Sequence, residues 1–267
     1  MKTRAITGFF FVLVMVGSLL LGKWLFVVFY SLLAITAQKE FYTLISKPDT
    51  SKKFTGWLLY GLLICIGFTL FFLQQIELEA ILLFLGALVF LFLQQLFLKQ
   101  ATQPFQTLAY GFLGVVYLII PFISFIGLGF LKGYYAYEIP LGFLILLWSN
   151  DTGAYLSGRS FGRRKLFERI SPNKTWEGFL GGLILAIGVA LNLEQYFGSL
   201  AKWQWVSVAF IISIFGTWGD LVESMLKRSL QVKDSGTILP GHGGLMDRFD
   251  GLLLSAPIVY IFLTLIL

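Results

Sequence analysis

Long stretches of this chain carry no charge at all, and that constrains its fold more than any single residue does. A helix of about 17–25 predominantly apolar residues suffices to cross the hydrocarbon core of a bilayer. Such runs recur near 5–22, 24–45, 54–73, 79–98, 105–131, 139–158, 177–195, 203–226 and 249–267. In lipid every backbone N–H and C=O must find its partner within the structure, and segments of this length do so as helices. The sequence therefore predicts an all-α fold, a polytopic integral membrane helical bundle of about nine transmembrane helices. Its composition agrees, with 57% hydrophobic and 13% charged residues where soluble domains carry roughly a quarter charged.

Sidedness follows from the basic residues. If the N-terminus and the loops after even-numbered runs share one side, only Lys23, Lys132 and Lys202 of the 20 lysines and arginines fall on the other. Positively charged loops stay in the cytoplasm, so the N-terminus is predicted cytoplasmic and the C-terminus external. The net charge of +6 then reflects this bias, with anionic lipid and phosphate contacts, and calls for no nucleic acid. The first run follows Met-Lys-Thr-Arg but offers no small-x-small cleavage site, and a second run follows at once, so it reads as a span rather than a signal peptide. Cys65, the only cysteine, lies inside the third run as a small hydrophobe and can build neither a disulfide nor a zinc site.

Two charged segments interrupt the pattern, Asn150 to Glu177 and Asp220 to Gly251, and both join runs on the predicted cytoplasmic side. Ionisable groups near the bilayer midplane cost roughly 2.5–3.5 kcal/mol each, so a cluster of them implies a wet cavity, a ligand or a metal. Asp220, Glu223, Ser224 and Lys227 share one helical face by their spacing; a helix end with its own polar ladder is the plainer alternative. Asp247 and Asp250, three apart, share a face if that stretch is helical. Three carboxylates from two helices suit a hard cation, since magnesium takes oxygen ligands and keeps waters and substrate phosphates around it. Asp247 alone also reads as a first-turn acid favoured by the helix dipole.

Between these carboxylates lies Pro240-Gly241-His242-Gly243-Gly244, beside Lys233 and Asp234. Glycine-rich turns let backbone N–H groups approach phosphate oxygens, but they equally mark ordinary turns. His242 stays open between proton carrier, phosphate donor and structural residue. In the upstream segment, Asn150 and Asp151 fall near the end of the sixth run. Ser171, Lys174 and Thr175 offer hydroxyl and ammonium donors to a polyphosphate, and Thr175 is also placed to cap the seventh helix. Arg159, Arg163, Arg164 and Lys165 read as interfacial anchors and anionic-lipid contacts. Residues 1–135 therefore read as scaffold, lipid-facing or oligomer surface, and 136–267 as the catalytic region. The residues alone lead to a membrane enzyme that handles phosphates with a divalent cation.

Ser224, Lys227, Arg228, Lys233, Asp234, Gly236, Leu239, Pro240, His242, Gly243, Gly244, Leu245, Asp247, Arg248, Phe249 and Asp250 fill, without departure, a signature in which the chain resembles the phosphatidate cytidylyltransferase (CDP-diacylglycerol synthase) family. Asn150-Asp151-Thr152 and the stretch from Ser171 to Gly178 are also similar to that family. The N-terminal half resembles it only as a run of apolar helices. The resemblance implies transfer of CMP from CTP to phosphatidate, giving CDP-diacylglycerol and pyrophosphate, with magnesium and with a second cation left open. It implies a bacterial-type cytoplasmic (inner) membrane, a site facing the cytoplasm, and CTP, phosphatidate and membrane lipids as partners, with a homodimer left open.

On that footing the expected catalytic set is Asp220, Asp247, Asp250, Lys227 and Arg228. Asp220 and Asp247 are the first magnesium ligands and Asp250 a third ligand or outer acceptor. Ser171, Lys174 and Thr175 would meet the CTP phosphates, and Lys227, Arg228, Lys233 and Arg248 the phosphates of either substrate. Asn150 and Asp151 would orient nucleotide or metal, and Asp234, His242, Gly243 and Gly244 would form the substrate-binding turn. A phosphate monoester has its second pKa near 6, so the attacking oxygen is already largely ionised and needs no strong base. A polar cavity among the last four or five spans is expected, open to the cytoplasm and sideways at headgroup depth. A CTP-dependent lipid kinase of the polyprenol type is the rival enzyme, and a lipid transporter the rival from another class.

Overall fold

A computed structural model describes residues 2–46, 54–81, 83–98, 103–236 and 243–267. Leu239, Pro240 and His242 of the signature lie outside the described residues. The helices are α1 (Lys2–Leu20), α2 (Lys23–Ile45), α3 (Thr55–Phe72), α4 (Leu78–Ile81), α5 (Leu83–Phe97), α6 (Pro104–Gly114), α7 (Ile120–Leu128), α8 (Glu138–Phe161), α9 (Trp176–Tyr196), α10 (Lys202–Ser229) and α11 (Met246–Ile266). Each apolar run of the sequence coincides with one of these helices or with a pair in line. Among the described residues, six helical stretches are long and apolar enough to cross a membrane: α2, α3, Pro104–Leu128, α9, α10 and α11. Gly8–Leu20 and Gly86–Phe97 are shorter apolar stretches, and α8 carries Glu138, Asp151 and Arg159 within its length.

The rod from Pro104 to Leu128 is interrupted by a π turn at Val115–Ile119. Pro121 lacks an N–H, and its ring crowds the carbonyl four residues earlier, that of Tyr117. Widening the helix by one residue relieves that conflict without ending it.

Helix ends sort into two faces. At one end Tyr42 stacks on Phe54 at 4.6 Å, Lys174 pairs with Asp220, and Leu245 N–H donates to Glu40 at 2.7 Å. At the other, Tyr135 donates to the Leu19 carbonyl at 2.7 Å, Gln74 donates to the Gly133 carbonyl at 3.0 Å, and Phe197 lies against Trp205. Lys23 and Lys202 begin the helices α2 and α10 at this second end, and Lys132 belongs to the connection that Tyr135 and Gly133 anchor there. These described helix ends thus fall on two faces, with Asp220 and Glu40 at one and Lys23 and Lys202 at the other.

Packing within the bundle rests on rings and on close backbones. Tyr30 of α2 meets Phe125 of α7 at 4.8 Å and Phe125 meets Phe143 of α8 at 5.4 Å, while Phe249 of α11 touches Phe122 and Phe11. Each such pair adds roughly 0.5–1.5 kcal/mol beyond burial. Between α8 and α9 the backbones nearly touch: a Cβ on Gly153 would lie 2.7 Å from the Gly181 carbonyl oxygen, and one on Gly178 would lie 2.9 Å from that of Ala154. Small residues permit this approach where lipid supplies no hydrophobic drive for association. Leu32, Phe90, Ile184 and Leu265 lie exposed on the outer surface, as a lipid-facing belt requires.

One element departs from the all-α expectation. Between α8 and α9 the strands β1 (Lys165–Phe167) and β2 (Ser171–Thr175) pair antiparallel, with Lys165 opposite Thr175 and Phe167 opposite Ser171. Glu177 pins this ribbon, since its carboxylate accepts from the N–H groups of Arg163 at 3.0 Å and Arg164 at 3.2 Å.

Candidate active site

The ribbon, the later turns of α8, the stretch of α10 from Gly216 to Asp220, the starts of α9 and α11 and one face of α1 surround a cavity of about 790 Å³. Glycines bring its walls together. Gly219 of α10 leaves no room for a side chain against the backbone of Asp250, and Gly216 faces Gly251. This crossing sets Asp220 of α10 beside Asp250 of α11. Asp220 pairs with Lys174 from β2 and accepts from the Ser224 hydroxyl at 3.2 Å. Asp250 accepts from the Gly251 N–H at 2.7 Å and interacts with the charges of Asp220, Asp151 and Lys174. Asp151 of α8 interacts with Lys174 and Asp220 in turn. Carboxylates from three helices thus line one cavity with the ammonium of Lys174, which pairs with Asp220.

Asp247 belongs to a neighbouring network. Its Oδ1 accepts from Lys227 Nζ at 2.6 Å, and its Oδ2 accepts from Ser235 N–H and Gly244 N–H at 3.0 and 2.8 Å and lies 3.0 Å from Ser235 Oγ. Lys227 also pairs with Glu223, which is wholly buried. The Gly244 N–H, read from the sequence as a phosphate donor, is engaged by Asp247. Gly243 sits in the left-handed region at φ 82°, which explains a glycine there without a ligand.

The other expected residues divide. Asn150, Asp151, Ser171, Lys174, Thr175, Asp220, Asp247, Arg248 and Asp250 line the cavity. Asn150 is buried, and its Oδ1, which has no hydrogen-bond partner, lies against Gly182 of α9. Thr175 caps α9 by accepting from the Gly178 N–H at 3.1 Å. Arg228, Lys233 and Asp234 are exposed and stand outside the lining, and His242 lies outside the described residues.

Three contributors escaped the sequence reading. Arg159, read as an interfacial anchor, lines the cavity, and Phe11, Val12 and Met15 of α1 form an apolar wall opposite Leu144, Leu147 and Trp148. Glu40 of α2 reaches the start of α11. A carboxylate inside an apolar run was the signal for Glu40; the α1 residues carry none, because any apolar helix would look the same.

Among the described residues no group of three histidine, cysteine, aspartate or glutamate side chains is arranged to hold a metal ion. The donor chemistry nevertheless suits a hard cation: Asp151, Asp220, Asp247 and Asp250 are all oxygen donors and all line this one cavity. A polar, cation-centred end joined to an apolar lobe can hold a charged headgroup with its hydrocarbon tail.

A model of the cytidylyltransferase family matches residues 2–266. The chain is 34% identical over 276 residues to a phosphatidate cytidylyltransferase of Staphylococcus aureus (strain COL), covering 98% of this chain and 99% of the relative. It is 35% identical over 280 residues to the protein of that name from Staphylococcus saprophyticus, with the same coverage.

Proposed function

This chain belongs to the cytidylyltransferase family, and from that premise we propose how its cavity transfers CMP from CTP to phosphatidate, releasing pyrophosphate and leaving CDP-diacylglycerol. The observation that carries the reading is the junction inside one cavity of the Asp151, Asp220, Asp250 and Lys174 cluster with the apolar wall of Phe11, Val12, Met15 and Leu144. A phosphate monoester on a diacylglycerol needs both.

An oxygen of the phosphatidate phosphate attacks the α-phosphorus of CTP; the bond from that phosphorus to the β-bridging oxygen breaks, and the electron pair leaves with pyrophosphate. The nucleophile is already anionic, so the chain's task is to neutralise and align two polyanions. Lys174 and the Ser171 hydroxyl bind the CTP phosphates from the ribbon, and Arg159 and Arg248 meet anionic oxygens from α8 and α11. Lys227 holds Asp247, and Asn150 and Asp151 would orient the nucleotide or the metal from α8. Asp220, Asp247 and Asp250, with Asp151 as a further carboxylate, would hold magnesium. The bound ion would offset charge on the attacked and leaving phosphate oxygens. Arg228, Lys233, Asp234, Gly243 and Gly244 would guide substrate phosphates toward the cavity.

The helices and bacterial relatives make this a membrane protein. We further place it in the cytoplasmic membrane with nine helical crossings and the site facing the cytoplasm, where CTP is dissolved. The basic residues Arg159, Arg163, Arg164, Lys165, Arg169, Lys227, Arg228 and Arg248 at the site end support this. The catalytic groups then come from 136–267, and the helices of 1–135 supply support and the acyl wall.

The test is purified protein in detergent with phosphatidate, magnesium and CTP. CDP-diacylglycerol and pyrophosphate should form one for one and stop on chelation. A folded preparation that makes neither, or that makes lipid phosphate from a polyprenol, would overturn the reading.

A further inference from the structure

The carboxylate of Glu40 lies at the N-terminus of α11, across 205 residues of sequence from Leu245. It is 5% exposed and accepts from the N–H groups of Leu245 at 2.7 Å and Met246 at 3.1 Å and from the Ser235 hydroxyl. The first N–H groups of a helix have no partner inside it, and α11 receives no cap from Leu245, its own capping residue. Glu40 therefore does from α2 what an N-cap side chain does locally, with a full charge aimed at the positive end of the helix dipole.

Two further contacts connect this cap to the cavity. Ser235 Oγ stands within reach of both Glu40 and Asp247, so the two carboxylates hold one hydroxyl between them. Gly236 and Gly244 both leave their Cβ space to Glu40: a Cβ would lie 2.9 Å from its Oε2 at Gly236 and 2.6 Å from its Cδ at Gly244. Gly236 and Gly244 are thus accounted for by a side chain from the N-terminal half.

We infer that Glu40 is a positioning residue, which fixes the segment from Leu245 to Asp247 and thereby the direction in which Asp247 presents its carboxylate. The inference rests on the proposed role of Asp247. It assigns a working part to α2: tilting α2 or removing Glu40 frees the α11 start, and Asp247 then keeps Lys227 but loses the frame set by Ser235 and Gly244.

The experiment uses the full chain in detergent, as Glu40→Ala, Glu40→Gln, Ser235→Ala and Asp247→Asn. For each, kcat and the magnesium concentration for half-maximal CDP-diacylglycerol formation are measured alongside amide hydrogen exchange by mass spectrometry. Glu40→Ala should lower activity roughly 10–100-fold, as loss of a partner behind a ligand does, with most of the loss in kcat and a higher magnesium requirement. Exchange should accelerate in the peptide containing Leu245 and Met246 while the remaining helices keep wild-type protection. Glu40→Gln keeps one acceptor oxygen and should fall between, and Ser235→Ala should raise the magnesium requirement with a smaller change in exchange. Wild-type exchange at that peptide in Glu40→Ala, or wild-type kcat and magnesium dependence despite faster exchange, overturns the inference; so does acceleration spread over the whole bundle, which marks a purely structural role. Full activity in Asp247→Asn would instead defeat the ligand reading of Asp247, and the exchange comparison would still decide whether Glu40 fixes the segment.

Discussion

Asp220 holds Lys174 from the ribbon and Ser224 from its own helix, and the proposed transfer brings the nucleotide and lipid phosphates together beside it. Asp220→Asn should lower kcat by at least about 100-fold, the scale of removing one electrostatic group from a reacting centre, while purification and helical circular dichroism stay unchanged; near-wild-type turnover would move the site elsewhere. Lys227 stands between Glu223, wholly buried, and Asp247. Lys227→Met strands two carboxylates and should cost about 3–5 kcal/mol, read as a lower thermal unfolding midpoint in detergent that Glu223→Gln partly restores. At this scale the sequence was legible wherever charge broke an apolar run: the spacing of Asp220, Glu223, Ser224 and Lys227 put them on one face, and the structure pairs Ser224 with Asp220 and Lys227 with Glu223. What spacing does not carry is partnership. Nothing in the order of residues says that Lys174 answers Asp220, or that Lys227 rather than a substrate occupies Asp247.

Helix α8 meets α9 through glycine, and its polar end carries Asn150 and Asp151 into the cavity. Gly153→Val should force the helices apart, cost about 1–3 kcal/mol through overpacking and depress activity. Gly188→Ala on α9, where a Cβ meets nothing within 4 Å, should leave both stability and rate unchanged. Purified variants compared by thermal unfolding and turnover decide it. On α1, Met15→Trp narrows the apolar wall and should raise KM for long-chain phosphatidate while sparing a short-chain analogue; equal effects on both would remove the wall from the lipid's path. Element positions were readable because lipid enforces them: each uninterrupted run became a helix or a pair in line. The ribbon was not readable, since Ser171-Pro172-Asn173-Lys174-Thr175 has no alternation, carries a proline and has a single β-branched residue, Thr175, and its pairing is braced by Glu177 holding Arg163 and Arg164 by their backbones.

Over the whole molecule, the helices alternate so that the polar ends of α8 and α10 and the starts of α9 and α11 gather on one face, with Lys23, Lys132 and Lys202 on the other. Single cysteines in place of Arg169 and Lys202, probed in intact cells with an impermeant maleimide, should react only after permeabilisation at 169 and before it at 202; the reverse would invert the orientation. The central claim is that the Asp220-centred cavity moves CMP and not a terminal phosphoryl group. The most direct measurement gives wild-type and Asp220→Asn protein CTP labelled at either the α or the γ phosphorus, together with phosphatidate. The account predicts α label in the chloroform-soluble lipid, γ label in pyrophosphate, and neither transfer in the variant. Label from the γ position in lipid, or undiminished transfer by Asp220→Asn, would contradict it.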